Sequence, residues 1–229
     1  MINKTKFAVS QNESRRFVSG ILFEIKNNML KMVSTDGKRL SKIEKEIENK
    51  SNLDISIIVP PKILLEISKL CNDNGEAFLS ITKDNIFIKI DNFLFISNLL
   101  EANFPPYEQV IPKNQTGTIT LDKKSFKESI ERISLMGDKE THKIILLLTE
   151  NEMKIYSESL SLGSGEETIS VEYTGEETKM AINFIYLIDV LSVLSNENII
   201  IDFKNSQSTI TVREKDNNDY IYIMMPMSL

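Results

Sequence analysis

The chain repeats itself. Leu30-Lys31-Met32-Val33-Ser34 returns 123 residues later as Met153-Lys154-Ile155-Tyr156-Ser157, and the lead-in to a helix from Val59 returns from Ile182 with the same shift. Ile86, Ile88 and Ile90 align with Ser208, Ile210 and Val212 at a shift of 122. Phe93-Leu94-Phe95-Ile96 aligns with Tyr220-Ile221-Tyr222-Ile223 at 127, which predicts a longer hairpin in the second copy. A shared offset over four elements marks two copies of one design. The expected fold class is α+β, in two repeated domains, 1–114 and 115–229, with the boundary in Pro112-Lys113-Asn114-Gln115-Thr116-Gly117. Each copy has ordinary domain size.

In the first copy a short helical turn is expected within residues 3–10. Gly20-Ile21-Leu22-Phe23-Glu24-Ile25 predicts a strand, Asn27-Asn28 a tight turn and residues 29–34 the hairpin partner. Asp36-Gly37 marks another turn, residues 40–48 a charged strand and 55–59 a buried one. Pro60-Pro61 opens a helix, because proline in the first turn lacks only an N–H that has no helical acceptor. Ile63, Ile67 and Leu70 are expected on its core face, Lys62, Glu66 and Lys69 opposite, and residues 72–75 at its end. Cys71, beside that face, reads as a small core residue. Strands at 77–82, 85–90 and 93–100 follow.

The opening helix of the second copy is expected over 122–137, capped by Asp122, with Phe126, Ile130 and Ile133 inward. On a helical wheel Leu135 falls about 180° from that stripe. With Met136 beside it, this leucine marks either a contact with another chain or a side chain tucked under the next loop.

The chain stops on Tyr220-Ile221-Tyr222-Ile223-Met224-Met225-Pro226-Met227-Ser228-Leu229, far more apolar than a fraying terminus. The first five residues have strand composition. Pro226 has nothing to donate to a ladder, so the last residues are expected to leave the sheet and lie over something. Adaptable methionines suit a surface that re-packs around apolar partners. Two readings stand: a tail closing its own core, or one wall of a peptide-binding groove.

The net charge of −6 is uneven: residues 1–114 carry +2 and residues 115–229 carry −8. Six of the eleven basic residues of the second half lie in 115–143, which allows a local positive face, but a pI near 5.1 makes no general case for nucleic-acid binding. A single cysteine excludes an intrachain disulfide, so a reducing cytoplasm is the expected location. The first residues hold no signal-peptide core, and no aliphatic run is long enough to span a membrane, so no membrane partner is expected.

Catalytic, metal and cofactor sites are not expected. The single histidine, His142, sits in a solvated-looking Lys-Glu-Thr-His-Lys setting, and no His/Cys cluster has metal-ligand spacing. Gly163-Ser164-Gly165 lacks the Lys-Ser/Thr and the helix of a phosphate loop. Glu166-Glu167 and Glu176-Glu177 read as solvated loop charge flanking a strand.

Three motifs then converge. Ser34-Thr35-Asp36-Gly37-Lys38-Arg39-Leu40, Phe104-Pro105-Pro106-Tyr107-Glu108-Gln109-Val110-Ile111-Pro112 and Met225-Pro226-Met227-Ser228-Leu229 closely resemble the bacterial DNA polymerase sliding clamp, the beta subunit of DNA polymerase III. Ser14-Arg15-Arg16, Gly20-Ile21-Leu22-Phe23-Glu24 and Asn183-Phe184-Ile185-Tyr186-Leu187-Ile188-Asp189-Val190-Leu191 support the resemblance from end to end, in the family's order. It implies the DNA-clamp fold, with antiparallel sheets outside and two helices inside each domain. It also implies a non-catalytic processivity factor that tethers the replicative polymerase to double-stranded DNA without reading sequence.

The family's subunit has three such domains, and two subunits close a ring-shaped homodimer head to tail. This chain resembles the second and third domains. Met1 falls where the linker from the first domain ends, so a fragment or a naturally short product is expected, unable to close that ring alone. Leu135 and Met136 fall at the family's subunit joint.

The resemblance further implies a groove between the two domains that takes short apolar peptides of polymerase subunits, the clamp loader and repair proteins. Carried over by position, the middle domain supplies Arg15, Phe17, Val18, Thr35 and Gly37, then Lys38, Arg39, Leu40, Pro105 and Val110. The C-terminal domain supplies Asn183, Tyr186, Thr209 and Met224, then Met225, Pro226, Met227 and Leu229. Phe17, Val18, Leu40, Val110 and the methionines are expected to hold apolar anchors, and Arg15 or Arg39 peptide carbonyls or acids. Lys38, Pro106, Gln207 and Ser228 depart from the family's usual residues and bear on partner preference. Lys62, Lys69, Lys123, Lys124, Lys127 and Arg132 are the expected phosphate-facing bases, although Glu66, Glu128 and Glu131 share their helix faces. A stand-alone peptide-binding adaptor without DNA encirclement is the alternative, and a hydrolase or nucleotidyl transferase is disfavoured for lack of a constellation.

Overall fold

Asn27 adopts the left-handed conformation (φ +53), which its short polar side chain tolerates, and turns strand β1 (Ile21–Lys26) back into β2 (Met29–Thr35). The computed structural model describes every residue except 13, 72–74 and 160–162. The chain divides into two units, Met1–Val110 and Ile111–Leu229.

In the first unit a short helix, α1 (Ile2–Thr5), and a 3-10 turn precede the β1–β2 hairpin. β3 (Arg39–Glu46) and β4 (Ile55–Val59) flank it, in the antiparallel order β4-β1-β2-β3. The Ser34 hydroxyl donates to the Thr5 carbonyl at 2.5 Å, and the Ser41 hydroxyl donates to that of Lys4. These two bonds tie α1 to adjacent strands. Helix α2 (Pro61–Leu70) begins with Pro61 in its first turn, as expected. β5 (Ala77–Ile81), β6 (Asn85–Ile90) and β7 (Phe93–Asn98) then form a second antiparallel sheet.

Two expectations for α2 are corrected. The inward residues are Leu64 and Ile67, while Ile63 is half-buried and Leu70 is 39% exposed. Leu64 lies 100° round the helix from Ile63, so a stripe centred on one cannot be centred on the other. Cys71 is exposed. It follows the last helical residue with extended backbone (φ −70, ψ 126), so its side chain no longer obeys the wheel. Of the expected helix stop at 72–75, only Gly75 lies among the described residues.

The second unit opens with β8 (Gly117–Asp122), which runs into α3 (Lys123–Ser134). The Asp122 carboxylate accepts the Ser125 amide at 2.7 Å, the expected cap. Phe126, Ile130 and Ile133 point inward at 0, 0 and 4% exposure. β9 (Lys143–Thr149), β10 (Glu152–Ser159), β11 (Gly163–Ser170) and β12 (Thr178–Asn183) form a sheet in the order β11-β10-β9-β12. Helix α4 (Phe184–Val193) is capped by Asn183, which accepts the Ile185 and Tyr186 amides. β13 (Asn198–Phe203), β14 (Ile210–Glu214) and β15 (Tyr220–Met224) pair in order, with β8 on the far side of β13.

The repeat holds in both helices and hairpins, with one shift revised. Ile86 pairs with Ser97, and Ile210 with Met224, so Ile86 corresponds to Ile210 and not to Ser208. Ser208 lies in the β13–β14 turn, where the extra residues are accommodated. The second β14–β15 connection is longer, residues 215–219 against 91–92, as expected.

Candidate functional site

In the first unit, residues 34–40 build a locked turn. Gly37 sits at φ +91, a conformation that disfavours a side chain. The Thr35 hydroxyl accepts the Gly37 amide at 3.0 Å and donates to the Arg39 carbonyl at 2.6 Å. The Asp36 carboxylate accepts the Lys38 and Arg39 amides at 2.8 and 3.0 Å. Arg39 is largely consumed by structure: its guanidinium donates to Asp36 at 3.0 Å and to the Phe7 carbonyl at 2.7 Å, and lies over the Phe7 ring. Arg15 donates to the Asp36 carbonyl at 3.2 Å, while its guanidinium lies 5.5 Å from the exposed Phe17 ring. Lys38 is exposed.

The anchor residues of this unit divide. Phe17 and Val110 are 39 and 47% exposed, and Pro105 is half-buried. Val18 and Leu40 are buried, at 1 and 3%, so in this structure they cannot be offered as anchors. Thr35 is buried too, with its hydroxyl committed to the turn. A feature unforeseen in the sequence fixes the 104–110 segment: the Tyr107 hydroxyl donates to Glu24 on β1 at 2.5 Å, and Phe104 packs edge-on against the Tyr107 ring. Burial first, and the Glu24 carboxylate second, raise the Tyr107 phenol above its ordinary range.

In the second unit the tail leaves β15 after Met224, and the Met227 amide donates to the Ala181 carbonyl of β12 at 2.8 Å. Met224 is buried at 1%, whereas Met225 and Leu229 are 52 and 62% exposed. Both readings of the tail thus find support: its first part closes core, and its last part presents apolar surface. Leu229 borders a hollow of about 560 Å³ with Tyr173, Phe203 and Lys179 on its walls. Tyr186 accepts the Tyr222 hydroxyl on its carbonyl at 3.1 Å. The Thr209 carbonyl accepts from Gln115 at 3.3 Å.

The basic helix residues are mostly engaged. Lys69 pairs with Glu66 at 2.8 Å, Lys124 with Glu128 at 4.0 Å, and Lys127 with Glu131 at 3.7 Å. Lys123 donates to the Leu194 carbonyl at the end of α4, and Lys62 is exposed. Arg132 holds both oxygens of Glu167 at 2.7 and 2.9 Å. That bond pulls the Glu167 carboxyl below its ordinary range and raises the guanidinium. Glu166 and Glu167 therefore belong to strand β11, Glu166 facing Lys154, and the loop reading of that pair is corrected. Among the described residues β11 pairs with β10 alone, and the two adjacent glutamates suit such an edge position.

His142 is not solvated as expected. It is half-buried, with its ring edge-on to Phe184 at 5.3 Å, and its amide bonds to the Asp138 carbonyl. Leu135 is 74% exposed and Met136 41%, so Leu135 is not tucked beneath a loop. Among the described residues, no three His, Cys, Asp or Glu side chains gather as a metal would require, and no helix is long and apolar enough to cross a membrane.

The chain matches two protein-family descriptions in succession: DNA polymerase III beta subunit, central domain, over residues 1–106, and the C-terminal domain of the same subunit over 108–228. The beta sliding clamp of Treponema pallidum (strain Nichols) is 32% identical over 231 residues, covering 99% of this chain and 62% of that protein. Its counterpart from Pseudomonas putida is 31% identical, covering 100% and 63%. A solved DnaN sliding clamp (DNA polymerase III subunit beta) from Pseudomonas aeruginosa, bound to griselimycin, superposes with a TM-score of 0.96 at 31% identity, over 100% of this chain and 62% of that one. The DNA polymerase sliding clamp from Bacillus subtilis gives 0.94 at 27% identity, over 100% and 61%. The chain thus spans less than two thirds of the length of these relatives.

Proposed function

Because the chain belongs to the DNA polymerase III beta subunit family, whose central and C-terminal domains it spans and whose α+β clamp fold it has, we propose that it serves as part of a sliding clamp. In this role it catalyses nothing. It holds a replicative polymerase on double-stranded DNA and offers apolar surface to short peptides of polymerase subunits, the clamp loader and repair proteins. The observation that supports the reading is the succession of the two domain matches, over residues 1–106 and 108–228, in the order of the family's central and C-terminal domains.

For peptide docking, the second unit supplies the exposed Met225 and Leu229 with Pro226 and Met227 between them, near the capped start of α4 at Asn183 and Tyr186. Apolar anchors of a peptide bury against this surface, and polar contacts fix their register. The first unit supplies Phe17 and Val110, with Arg15 to accommodate peptide carbonyls or acids. For DNA, Lys62 and Lys69 on α2 and the bases of α3 attract phosphate without reading bases, as a sliding contact requires. The i, i+3 and i, i+4 acids beside most of them keep that attraction mild. Leu135 and Met136 are offered to another subunit.

The experiment is titration of a fluorescent polymerase-tail peptide against the full chain and against the Met225→Asp, Leu229→Asp double variant. Saturable micromolar binding lost in the variant supports the reading. Equal binding to both proteins, or none to the full chain, overturns the docking surface.

A further inference from the structure

Nine methionines are spread through the chain, and the fold treats them unequally. Met32, Met153, Met180 and Met224 are buried, and Met1, Met29 and Met227 are half-buried. Met225 and Met136 are exposed, at 52 and 41%. The thioether is also the apolar group that a mild oxidant turns polar.

Met225 is held outside by its neighbours. Met224 ends β15, paired with Ile210, and is buried, so the next side chain along an extended backbone points away from the core. Pro226 follows, with its φ fixed by the ring. Met227 then bonds the Ala181 carbonyl through its amide at 2.8 Å. Between these fixed points the backbone cannot turn the Met225 sulfur inward. Met136 is exposed in a different setting. A Cβ on Gly165 of β11 would stand 3.3 Å from its Cγ, so its stem lies against that strand, just past the end of α3. Of the two exposed sulfurs, that of Met225 belongs to the proposed docking surface.

We propose that Met225 is an oxidation site through which hydroperoxides weaken peptide docking, an inference that rests on the clamp reading above. The sulfur lone pair attacks one peroxide oxygen, the O–O bond breaks and an S–O bond forms. The other oxygen leaves as water or alcohol. Sulfur loses two electrons and the peroxide gains them, with no further co-reactant. The resulting sulfoxide carries a strong acceptor into a place where a peptide anchor buries apolar surface, and an apolar anchor has no donor to satisfy it. A thiol-dependent sulfoxide reductase removes the oxygen as water while two thiols become a disulfide, so the block is reversible. Peroxide reaches the buried methionines only when the fold opens locally, which makes Met225 the early site.

The test treats the full chain with dilute hydrogen peroxide and reads two quantities in the same samples. These are the oxygen gained at each methionine, by mass spectrometry of proteolytic peptides, and the affinity for a fluorescent polymerase-tail peptide. Met225 should gain oxygen about tenfold or more faster than Met153 and Met180. Affinity should fall about tenfold in step with it and return with sulfoxide reductase. Met136→Leu should lose affinity on treatment to the same extent. Met225→Leu, compared with its own untreated sample, should lose none. Oxidation of Met225 no faster than that of Met153 overturns the inference whether or not the peptide binds. So does full oxidation of Met225 at unchanged affinity, or an equal loss of affinity in Met225→Leu. A chain that binds no peptide before treatment overturns the docking reading, and with it this control of docking.

Discussion

The Met227 amide donates to the Ala181 carbonyl at 2.8 Å, so the tail crosses to the edge of β12 instead of prolonging β15. Pro226, one residue earlier, has no N–H to give a ladder, which ends pairing at Met224 and frees the chain to cross. Met227→Pro removes the donor and should lower urea stability by about 1 kcal/mol, the usual worth of one such bond. Met227→Ala keeps the donor and should retain the tail position. Under the clamp reading, only the proline variant weakens peptide binding out of proportion to lost side-chain area. Similar losses in both variants would mean that the side chain, and not the bridge, organises this surface.

Gly37 is the other point where backbone geometry dictates a residue. Its φ of +91 strains any L side chain, and a Cβ would stand 3.2 Å from the Arg15 guanidinium. Gly37→Ala should cost about 1 to 2 kcal/mol by denaturant unfolding, through the left-handed backbone and the displaced arginine. Arg15→Ala alone removes an exposed contact and should stay within about 0.5 kcal/mol of the parent. If the double variant costs as much as Gly37→Ala, backbone strain dominates. If Arg15→Ala relieves the cost, the close approach dominates.

What was legible in the sequence was mostly local or periodic. Asp122 announces its helix because a cap acts three residues away, and Pro61 does so because its missing N–H costs nothing there. The strands of the repeat were recognisable, yet the shift of β14 was not. Alternation has a period of two, so displacing Ile86, Ile88 and Ile90 by two residues leaves the apolar pattern intact, and only pairing with β15 reveals it. Cys71 was misplaced because wheel arguments end where the helix does. The exposed part of the tail was readable at Met225 and Leu229. The burial of Val18 and Leu40 was not, since a motif carries identity and not accessibility.

The bond between Tyr107 and Glu24 spans 83 positions, so no sequence pattern announced it. Tyr107 is 6% exposed, and its hydroxyl at 2.5 Å from a carboxylate is a charge-assisted bond. Tyr107→Phe should cost about 1 to 3 kcal/mol by leaving the Glu24 oxygen without its donor. Spectrophotometric titration should show a Tyr107 component that ionises later in the folded protein than in urea, because burial and Glu24 both oppose its phenolate. In Tyr107→Phe that late-titrating component should vanish. If it remains, another tyrosine is the hindered one.

Arg132 and Glu167 make the last prediction one of sign. The folded-state pKa of Glu167 is depressed, first by the side-chain bond from Arg132, so its contribution to stability is present above the ordinary carboxylate pKa. It is lost as the pH falls through the depressed folded value. The stability gap between the parent and Arg132→Gln should therefore be constant near neutral pH and close under acid, read as urea midpoints from pH 7 down to about pH 3. The same pair bears on DNA under the clamp reading. While Glu167 holds the Nε–Nη2 edge of the guanidinium, Arg132 adds little to phosphate attraction, so Arg132→Gln should scarcely change the salt slope of DNA binding. Glu167→Gln releases the arginine and should steepen that slope by up to about 0.9 in log K against log salt, one added phosphate contact. An unchanged slope in Glu167→Gln would place Arg132 away from DNA and leave the attraction to the lysines of α2 and α3.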